Sequence, residues 1–132
     1  MKSERGVEGF LLDTTALIDF LRGDRQTLAL LQVLSEKAPL AACPITVAEV
    51  FAGAKEKELP GVERFLSSLK FYCIDYEVSR LAGRWRYTYA RAGVTLCLPD
   101  TLIAAVAVHN NLALVTANRR HYPMEELIVI IH

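Results

Sequence analysis

The length and composition of the chain describe one ordinary globular domain. It has 132 residues, of which 52% are hydrophobic and 23% are charged, and this balance excludes a disordered or low-complexity protein. Its 15 basic and 15 acidic residues give zero formal net charge, so any surface for a polyanionic partner has to be a local patch of arginines. No apolar run approaches the roughly 18 residues that a membrane span needs, and we expect a cytoplasmic protein without membrane association.

The N-terminus and the cysteines support the same interpretation. Residues 1–9 form a short polar extension without the apolar core of a signal peptide, and residues 10–132 are predicted to form a single domain. Cys43, Cys73 and Cys97 are odd in number, far apart and embedded in apolar sequence. This pattern favours reduced, buried thiols and offers no spacing typical of a metal site.

The first predicted elements place a carboxylate at the change from strand to helix. Residues 10–12 form a short apolar run, and apolar residues then recur at helical spacing until Gly23 ends the pattern. Asp13 lies at the junction. On this stretch alone, the favoured interpretation is a helix N-cap. The second interpretation is chemical, because ligands gather at the carboxyl ends of parallel strands.

The rest of the chain alternates between helical and strand patterns. Helices are predicted over 26–36, 46–54, 60–69, 77–92 and 99–109, and strands over 40–45, 71–74, 112–116 and 127–131. Such alternation implies a parallel sheet with right-handed crossovers and helices on both faces. The helix over 99–109 is apolar all round, so we expect it to be buried on most sides.

The helix over 77–92 is rich in arginine and aromatic residues, and two interpretations remain open. Interleaved arginine and aromatic side chains can stack on a polynucleotide and neutralise it. The favoured interpretation is an ordinary helix that packs with one face and keeps its charged groups in solvent on the other.

Three carboxylates lie beside or within mainly apolar elements: Asp13, Glu49 and Asp100. If the sheet is parallel, all three can meet at its carboxyl edge. Like charges held together repel, and a divalent cation relieves the repulsion. Carboxylates and water are the ligands of Mg²⁺ and Mn²⁺. Each acid also has a local alternative: Asp13 and Asp100 can cap helices, and Glu49 can complete a capping box with Thr46. The argument therefore rests on the three together.

The segments that contain these acids resemble a known family. FLLDTTALIDFLRG, ITVAEVFAGA and LPDTLIAAVAVHNNLALVTANRRHY are similar to the successive motifs of PIN-domain proteins, and in particular of the VapC toxins of toxin–antitoxin pairs. The resemblance runs from Phe10 to the end of the chain, and the order and spacing of the motifs make it specific. It implies a three-layer fold with a central, mostly parallel sheet of roughly four to five strands flanked by helices.

The resemblance also implies a set of site residues. Asp13, Glu49 and Asp100 correspond to the family's acids that bind Mg²⁺ or Mn²⁺ for RNA cleavage. Small polar residues that family members keep near the metal correspond to Thr15, Thr116 and Asn118. The departure is His121, where many relatives have a further acid and others have histidine. We consider phosphate contact, proton transfer and a surface histidine beside Tyr122 for this residue.

The function implied is a metal-dependent endoribonuclease, the toxin of a VapBC-type pair. A metal held by Asp13 and Asp100, with help from Glu49, would activate the water that hydrolyses the RNA phosphodiester bond. The resemblance further implies a VapB-like antitoxin partner, and apolar helices suggest a homodimer. The alternative is a non-catalytic PIN-fold module that binds RNA or protein through a degenerate acidic site. A phosphoacceptor receiver domain is disfavoured because LALVTANRR lacks the required late lysine. The absence of glycine-rich phosphate loops disfavours nucleotide-dependent enzymes.

Overall fold

Five short strands run parallel in one sheet in the computed structural model, which describes residues 6–132. In chain order they are β1 (Gly9–Leu12), β2 (Leu40–Ala42), β3 (Lys70–Phe71), β4 (Leu112–Thr116) and β5 (Ile128–Ile131). Their order in the sheet is β3-β2-β1-β4-β5, which puts β1 at the centre, and every neighbouring pair is parallel. The predicted parallel sheet is therefore confirmed.

Helices cover both faces of this sheet, as the alternating pattern predicts. They are α1 (Thr14–Leu21), α2 (Arg25–Ser35), α3 (Pro44–Gly53), α4 (Leu59–Ser67), α5 (Tyr76–Arg91) and α6 (Leu98–His109). Two 3₁₀ turns, Glu56–Glu58 and Arg119–His121, complete the described elements. Within residues 6–132, no helix is both long enough and apolar enough to cross a bilayer.

Alternating side chains of the central strands separate two hydrophobic cores. Leu11 and Leu114 point into the core that α5 and α6 cover, whereas Phe10, Leu12 and Val115 point into the core beneath α1 to α4. This is the period of two expected of a strand, and here both faces are apolar because both are covered. The arrangement gives the predicted three layers.

The two helices that cover one face of the sheet, α5 and α6, differ in burial as their sequences predict. In α6, residues 103–107 are all buried, which confirms the prediction for an apolar helix between the sheet and α5. In α5, Val78, Ala82 and Trp85 are buried, whereas its arginines are exposed. The favoured interpretation of α5, one packed face and one solvated face, is confirmed.

Several boundaries differ from the sequence prediction, and β2 ends at Ala42 rather than at Ile45. β3 covers Lys70–Phe71 rather than 71–74, and α3 begins at Pro44 rather than at Thr46. Cys43 is extended and Pro44 occupies the first helical position, where its fixed φ and missing N–H suit a helix start. Thr46 Oγ1 therefore accepts a hydrogen bond from the Cys43 backbone N–H at 3.2 Å. The predicted capping box between Thr46 and Glu49 is wrong, and Glu49 is available for other contacts.

Gly9 is required where β1 meets the chain that leads into β2. A Cβ at this position would lie 2.8 Å from the Pro39 carbonyl oxygen, closer than side chains allow, and the Phe10 N–H bonds that same oxygen at 2.9 Å. Gly9 is thus the first residue of β1, and residues 1–5 of the predicted N-terminal extension lie outside the described residues.

All three cysteines are free, but the prediction that all are buried is wrong. Cys43 is buried, whereas Cys73 and Cys97 are exposed, because Cys73 follows the exposed edge strand β3 and Cys97 is the N-cap residue of α6.

Candidate active site

Asp13 follows the central strand β1 at the carboxyl edge of the sheet, and it is only 4% exposed. Its Oδ1 accepts hydrogen bonds from the Ala16 N–H at 3.0 Å and from the Thr15 hydroxyl at 2.7 Å, so the carboxylate does cap α1. Its Oδ2 accepts a hydrogen bond from the Thr116 hydroxyl. Among residues 6–132, no lysine or arginine pairs with Asp13. The cap therefore accounts for one oxygen of a buried carboxylate that has no cationic partner there.

Thr116 connects this carboxylate to the neighbouring strand. It ends β4, is fully buried, and its hydroxyl oxygen also accepts the Asn118 backbone N–H at 3.0 Å. Asn118 itself is exposed, and its side chain makes no hydrogen bond within residues 6–132. Of the predicted supporting residues, Thr15 and Thr116 contact Asp13 directly, whereas Asn118 contributes its backbone.

Glu49 lies on α3 with its side chain exposed, and its Oε1 accepts a hydrogen bond from the Thr14 hydroxyl. Because Thr14 directly follows Asp13, this bond holds Glu49 beside the start of α1. The sequence analysis did not single out Thr14. The signal available was its position immediately after the acid, at the first residue of a helix that an acid caps.

Asp100 lies in the first turn of α6 and does not cap it. The N-cap is Cys97, whose Sγ accepts the Asp100 backbone N–H at 3.5 Å. The carboxylate of Asp100 is therefore free to face the loop after β4. Its Oδ1 accepts a hydrogen bond from the Tyr122 hydroxyl at 3.3 Å, and its Oδ2 lies 3.2 Å from His121 Nδ1.

The acids share the carboxyl edge of the sheet, because Asp13 follows β1 and Asp100 contacts the loop that follows β4, the strand paired with β1. Burial raises the pKa of the Tyr122 phenol, and the negative charges of Asp100 and Asp13 raise it further. Burial likewise raises the pKa of the Cys97 thiol, to which the charges of Asp100 and Glu49 add. The negative charge of Asp100 therefore adds to that of Asp13 at Tyr122 and to that of Glu49 at Cys97.

This arrangement, a buried acid at the tip of the central strand with acids from two helices around it, matches a known family. The model of the PIN domain matches residues 10–127. The chain belongs to the PIN-domain family. The resemblance stated from the motifs is confirmed, because the match covers most of the chain.

Several relatives of this PIN-domain protein are named as toxins or as ribonucleases. Ribonuclease VapC19 of Mycobacterium tuberculosis is 33% identical over 115 residues, which cover 86% of this chain and 92% of VapC19. A solved structure of DNA-bound VapBC from Salmonella typhimurium has a TM-score of 0.82 at 25% identity, covering 93% of this chain and 97% of that one. A toxin–antitoxin complex from Klebsiella pneumoniae has a TM-score of 0.75 at 29% identity, covering 92% and 96%.

The donor set of this PIN domain suits a hard divalent cation held by few protein ligands. Within residues 6–132, no three His, Cys, Asp or Glu side chains stand close enough to hold an ion by themselves. The compact trio expected around one ion is therefore not formed by the side chains alone. Mg²⁺ typically takes only one or two carboxylates and completes its shell with water and phosphate oxygens. Asp13 fits that role, since it is buried without a cationic partner in the described part of the chain. Asp100 is the second candidate ligand, because its charge and that of Asp13 both raise the pKa of Tyr122.

His121, which the family resemblance puts at the position of a further acid, lies at the rim of the site. Its side chain is 55% exposed and its ring centroid lies 6.5 Å from that of Tyr122, as the surface interpretation expects. It also contacts Asp100, which that interpretation did not include. Tyr122 is the second residue that the sequence analysis missed as a site residue. Its hydroxyl reaches an acid that lies 22 positions away in the chain, so local spacing carried no signal for it.

Proposed function

We propose that this protein is a VapC-type toxin, an endoribonuclease that hydrolyses RNA phosphodiester bonds with Mg²⁺ or Mn²⁺ bound at its acidic edge. One observation carries the proposal: Asp13 is buried at the tip of the central strand, both its oxygens are held by hydrogen-bond donors, and no lysine or arginine of residues 6–132 neutralises it. The ribonuclease names of its relatives support the choice of RNA as substrate.

Each acid has a distinct part in this mechanism. Asp13 and Asp100 would bind the cation, and Thr15 and Thr116 keep the Asp13 carboxylate in one orientation. A bound divalent cation supplies an acidified water and offsets the negative charge that grows on the phosphate oxygens. Glu49 is exposed toward solvent, where its carboxylate can accept a proton from the attacking water.

Two residues of the loop after β4, His121 and Tyr122, complete the proposed site. Tyr122 donates to Asp100 and fixes that carboxylate, and His121 at the rim is placed to contact a phosphate oxygen of the RNA. The nucleophile is water and the P–O3′ bond breaks, so the products expected carry a 5′-phosphate and a 3′-hydroxyl. No side chain forms a covalent bond to the RNA.

RNA cleavage by the purified protein tests the proposal. Protein freed of any bound antitoxin should cleave RNA in the presence of Mg²⁺ or Mn²⁺ and lose this activity in EDTA. Asp13→Asn and Asp100→Asn should abolish cleavage, whereas Asp19→Asn, an acid on α1 that pairs with His132, should not. Cleavage that persists in EDTA or in the Asp13→Asn variant would contradict the proposal. Metal binding without cleavage would instead favour a non-catalytic module.

A VapB-like antitoxin is the proposed partner, and an apolar groove supports it. The groove runs between α1 and α4, with the rings of Phe20 and Phe65 stacked at 4.1 Å in its lining and with Lys57, Glu58 and Arg64 along it. Such a surface suits an amphipathic helix with acidic residues. The partner proposal rests on this surface together with the VapBC titles of the structural neighbours.

Blocking the groove tests the partner. Gly61 lines the groove and a Cβ there would meet no atom within 4 Å, so Gly61→Trp should fill the groove without disturbing the fold. A co-expressed antitoxin of the VapB type should lose affinity for Gly61→Trp. It should retain affinity for Gly83→Trp, which adds the same ring at an equally open position of α5. Equal affinity for both variants would exclude this groove.

A homodimer in the cytoplasm completes the proposal. Large apolar side chains remain exposed, including Phe71 at 53% and Leu98 at 45%, and an interface between two copies would cover such residues. The free thiols suit a reducing compartment. Light scattering after gel filtration should give the mass of two chains, and a monomer at micromolar concentration would contradict the dimer.

A further inference from the structure

The exposed side of α5 carries an arrangement that the acidic site does not use. Arg80, Arg84, Tyr87 and Arg91 are spaced four, three and four residues apart, so they lie along one face of the helix, which we call the arginine face. All four side chains are exposed. In a protein whose formal net charge is zero, this is a concentrated positive strip.

No acid neutralises this strip within the described residues. α5 contains four arginines and a single acid, Glu77, and no ion pair of residues 6–132 involves Arg80, Arg84 or Arg91. The fourth arginine, Arg86, is engaged elsewhere, because its Nε donates to the Leu96 carbonyl at 3.0 Å.

Tyr87 organises two of these guanidinium groups. The Cζ of Arg84 lies 4.5 Å from the centroid of the Tyr87 ring, and the Cζ of Arg91 lies 3.8 Å from it. Both distances are within the range of cation–π contacts. These contacts hold both guanidinium groups close to the ring, and neither group makes a hydrogen bond or an ion pair within residues 6–132. A guanidinium group is suited to bidentate contact with phosphate and to stacking on a base.

The helix that carries the arginine face contacts two segments next to the candidate active site. The C-terminal part of α5 is tied to the loop that carries His121 and Tyr122, because the Tyr89 hydroxyl donates to the Pro123 carbonyl at 3.2 Å. The same part is tied to the segment before α6 through Arg86 and Leu96, a few residues before Asp100. Tyr89 and Arg86 lie away from the arginine face, so a strand bound on that face has to pass around α5 to reach the acids.

We propose that the arginine face binds single-stranded RNA and guides the substrate to the acidic site. Arg80, Arg84 and Arg91 contact the phosphates of successive nucleotides, and Tyr87 is a positioning residue that holds two of the guanidinium groups. This inference rests on the proposed function, since it assigns a binding surface to the same substrate. An extended single strand is favoured over duplex because the strip is one helix face wide and carries an aromatic ring for stacking.

Fluorescence anisotropy with a labelled single-stranded RNA of about 20 nucleotides tests the inference. The measurement is made in EDTA, so it reports binding whether or not the protein cleaves RNA. The variant Arg84→Gln/Arg91→Gln should lower affinity about tenfold, and the slope of log K against log salt should fall by about 0.7 for each lost phosphate contact. The control Arg22→Gln/Arg25→Gln removes the same charge near the start of α2 and should change affinity less than twofold.

Variants of Tyr87 separate positioning from charge. Tyr87→Leu should lower affinity about threefold without changing net charge, and Tyr87→Phe, which retains the ring, should restore affinity to the wild-type value. Equal binding by wild type and Arg84→Gln/Arg91→Gln, or an equal loss in the control, would overturn the inference. So would wild-type binding too weak to measure, or tighter binding of duplex DNA than of single-stranded RNA. Absence of cleavage with intact arginine-dependent binding would contradict only the catalytic proposal.

Discussion

The candidate site has an inner half built on the sheet and an outer half built on helices and a loop. In the inner half, Asp13 is 4% exposed and bonded to a hydroxyl from β4, a hydroxyl from α1 and a backbone N–H. In the outer half, Glu49 is exposed with one hydroxyl partner, and Asp100 contacts two residues of the loop after β4. Asp13 therefore has more hydrogen bonds than either outer acid, and it is more deeply buried.

This difference shows which part of the site is fixed before any ligand arrives. The orientation of Asp13 is determined by two neighbouring strands, which also hold the core together. Glu49 depends on one hydroxyl partner near solvent, and Asp100 contacts buried Tyr122 and exposed His121, so the outer acids can rearrange at lower cost than Asp13. We therefore expect Asp13 to contribute most to cation affinity, Asp100 to complete the binding of the cation, and Glu49 to tune turnover.

The largest expected effect is on RNA cleavage, where Asp13 of the inner half should matter more than Glu49 of the outer half. Asp13→Asn should lower kcat for RNA cleavage by about 10³-fold, because it removes the charge that binds the cation. Glu49→Gln should lower kcat by only about 10- to 100-fold, since its contribution is proton transfer. Cleavage kinetics at saturating Mg²⁺, with thermal melting as the control for folding, measure both. A larger loss of kcat in Glu49→Gln than in Asp13→Asn would contradict this ranking.

A matched pair of threonine variants tests the same difference by stability. Thr116→Val leaves a buried Asp13 oxygen without its donor and should lower the free energy of unfolding by about 1–3 kcal/mol. Thr14→Val removes the corresponding donor from exposed Glu49 and should change it by less than about 0.5 kcal/mol. Urea unfolding measures both, and Thr116→Ser should behave like wild type. If the Thr14 and Thr116 variants lose equal stability, the two halves are held equally firmly.

The outer half can also be altered by restoring an acid at its rim. His121→Asp should raise affinity for Mn²⁺ a few-fold, because a carboxylate adds an oxygen ligand near Asp100. His121→Ala should leave metal affinity near the wild-type value and lower cleavage a few-fold through loss of the phosphate contact. Calorimetry and cleavage assays distinguish these outcomes. Lower Mn²⁺ affinity in His121→Asp would show that His121 does not face the metal.

The smallest effect concerns the thiols at the same sheet edge. Burial raises the pKa of the Cys43 thiol, so at about pH 8 its thiolate fraction lies below that of an ordinary thiol. Cys43 should therefore resist iodoacetamide until the protein unfolds, and its reaction should still accelerate as the pH rises further. Exposed Cys73 should react at once. Mass spectrometry of the alkylated peptides decides this, and rapid labelling of Cys43 in folded protein would contradict its burial.

The sequence predicts the inner half of the site better than the outer half, for physical reasons. Asp13 is placed by a change in periodicity from strand to helix, which is a local signal, and the parallel sheet follows from the alternation of elements. The contacts of Glu49 could not be predicted, because Pro44 moves the start of α3 and Thr46 bonds Cys43 instead. Tyr122 donates to Asp100 across 22 positions, from a loop without periodic pattern.

Titration of Mn²⁺ into RNA-free protein by calorimetry tests the central claim most directly. The claim is that buried Asp13 and neighbouring Asp100 bind a divalent cation. We predict saturable binding to the wild type, loss of binding in Asp13→Asn, and binding that persists with reduced affinity in Glu49→Gln. A wild-type protein that binds no Mn²⁺ or Mg²⁺, or an Asp13→Asn variant that binds as tightly as wild type, would contradict the account.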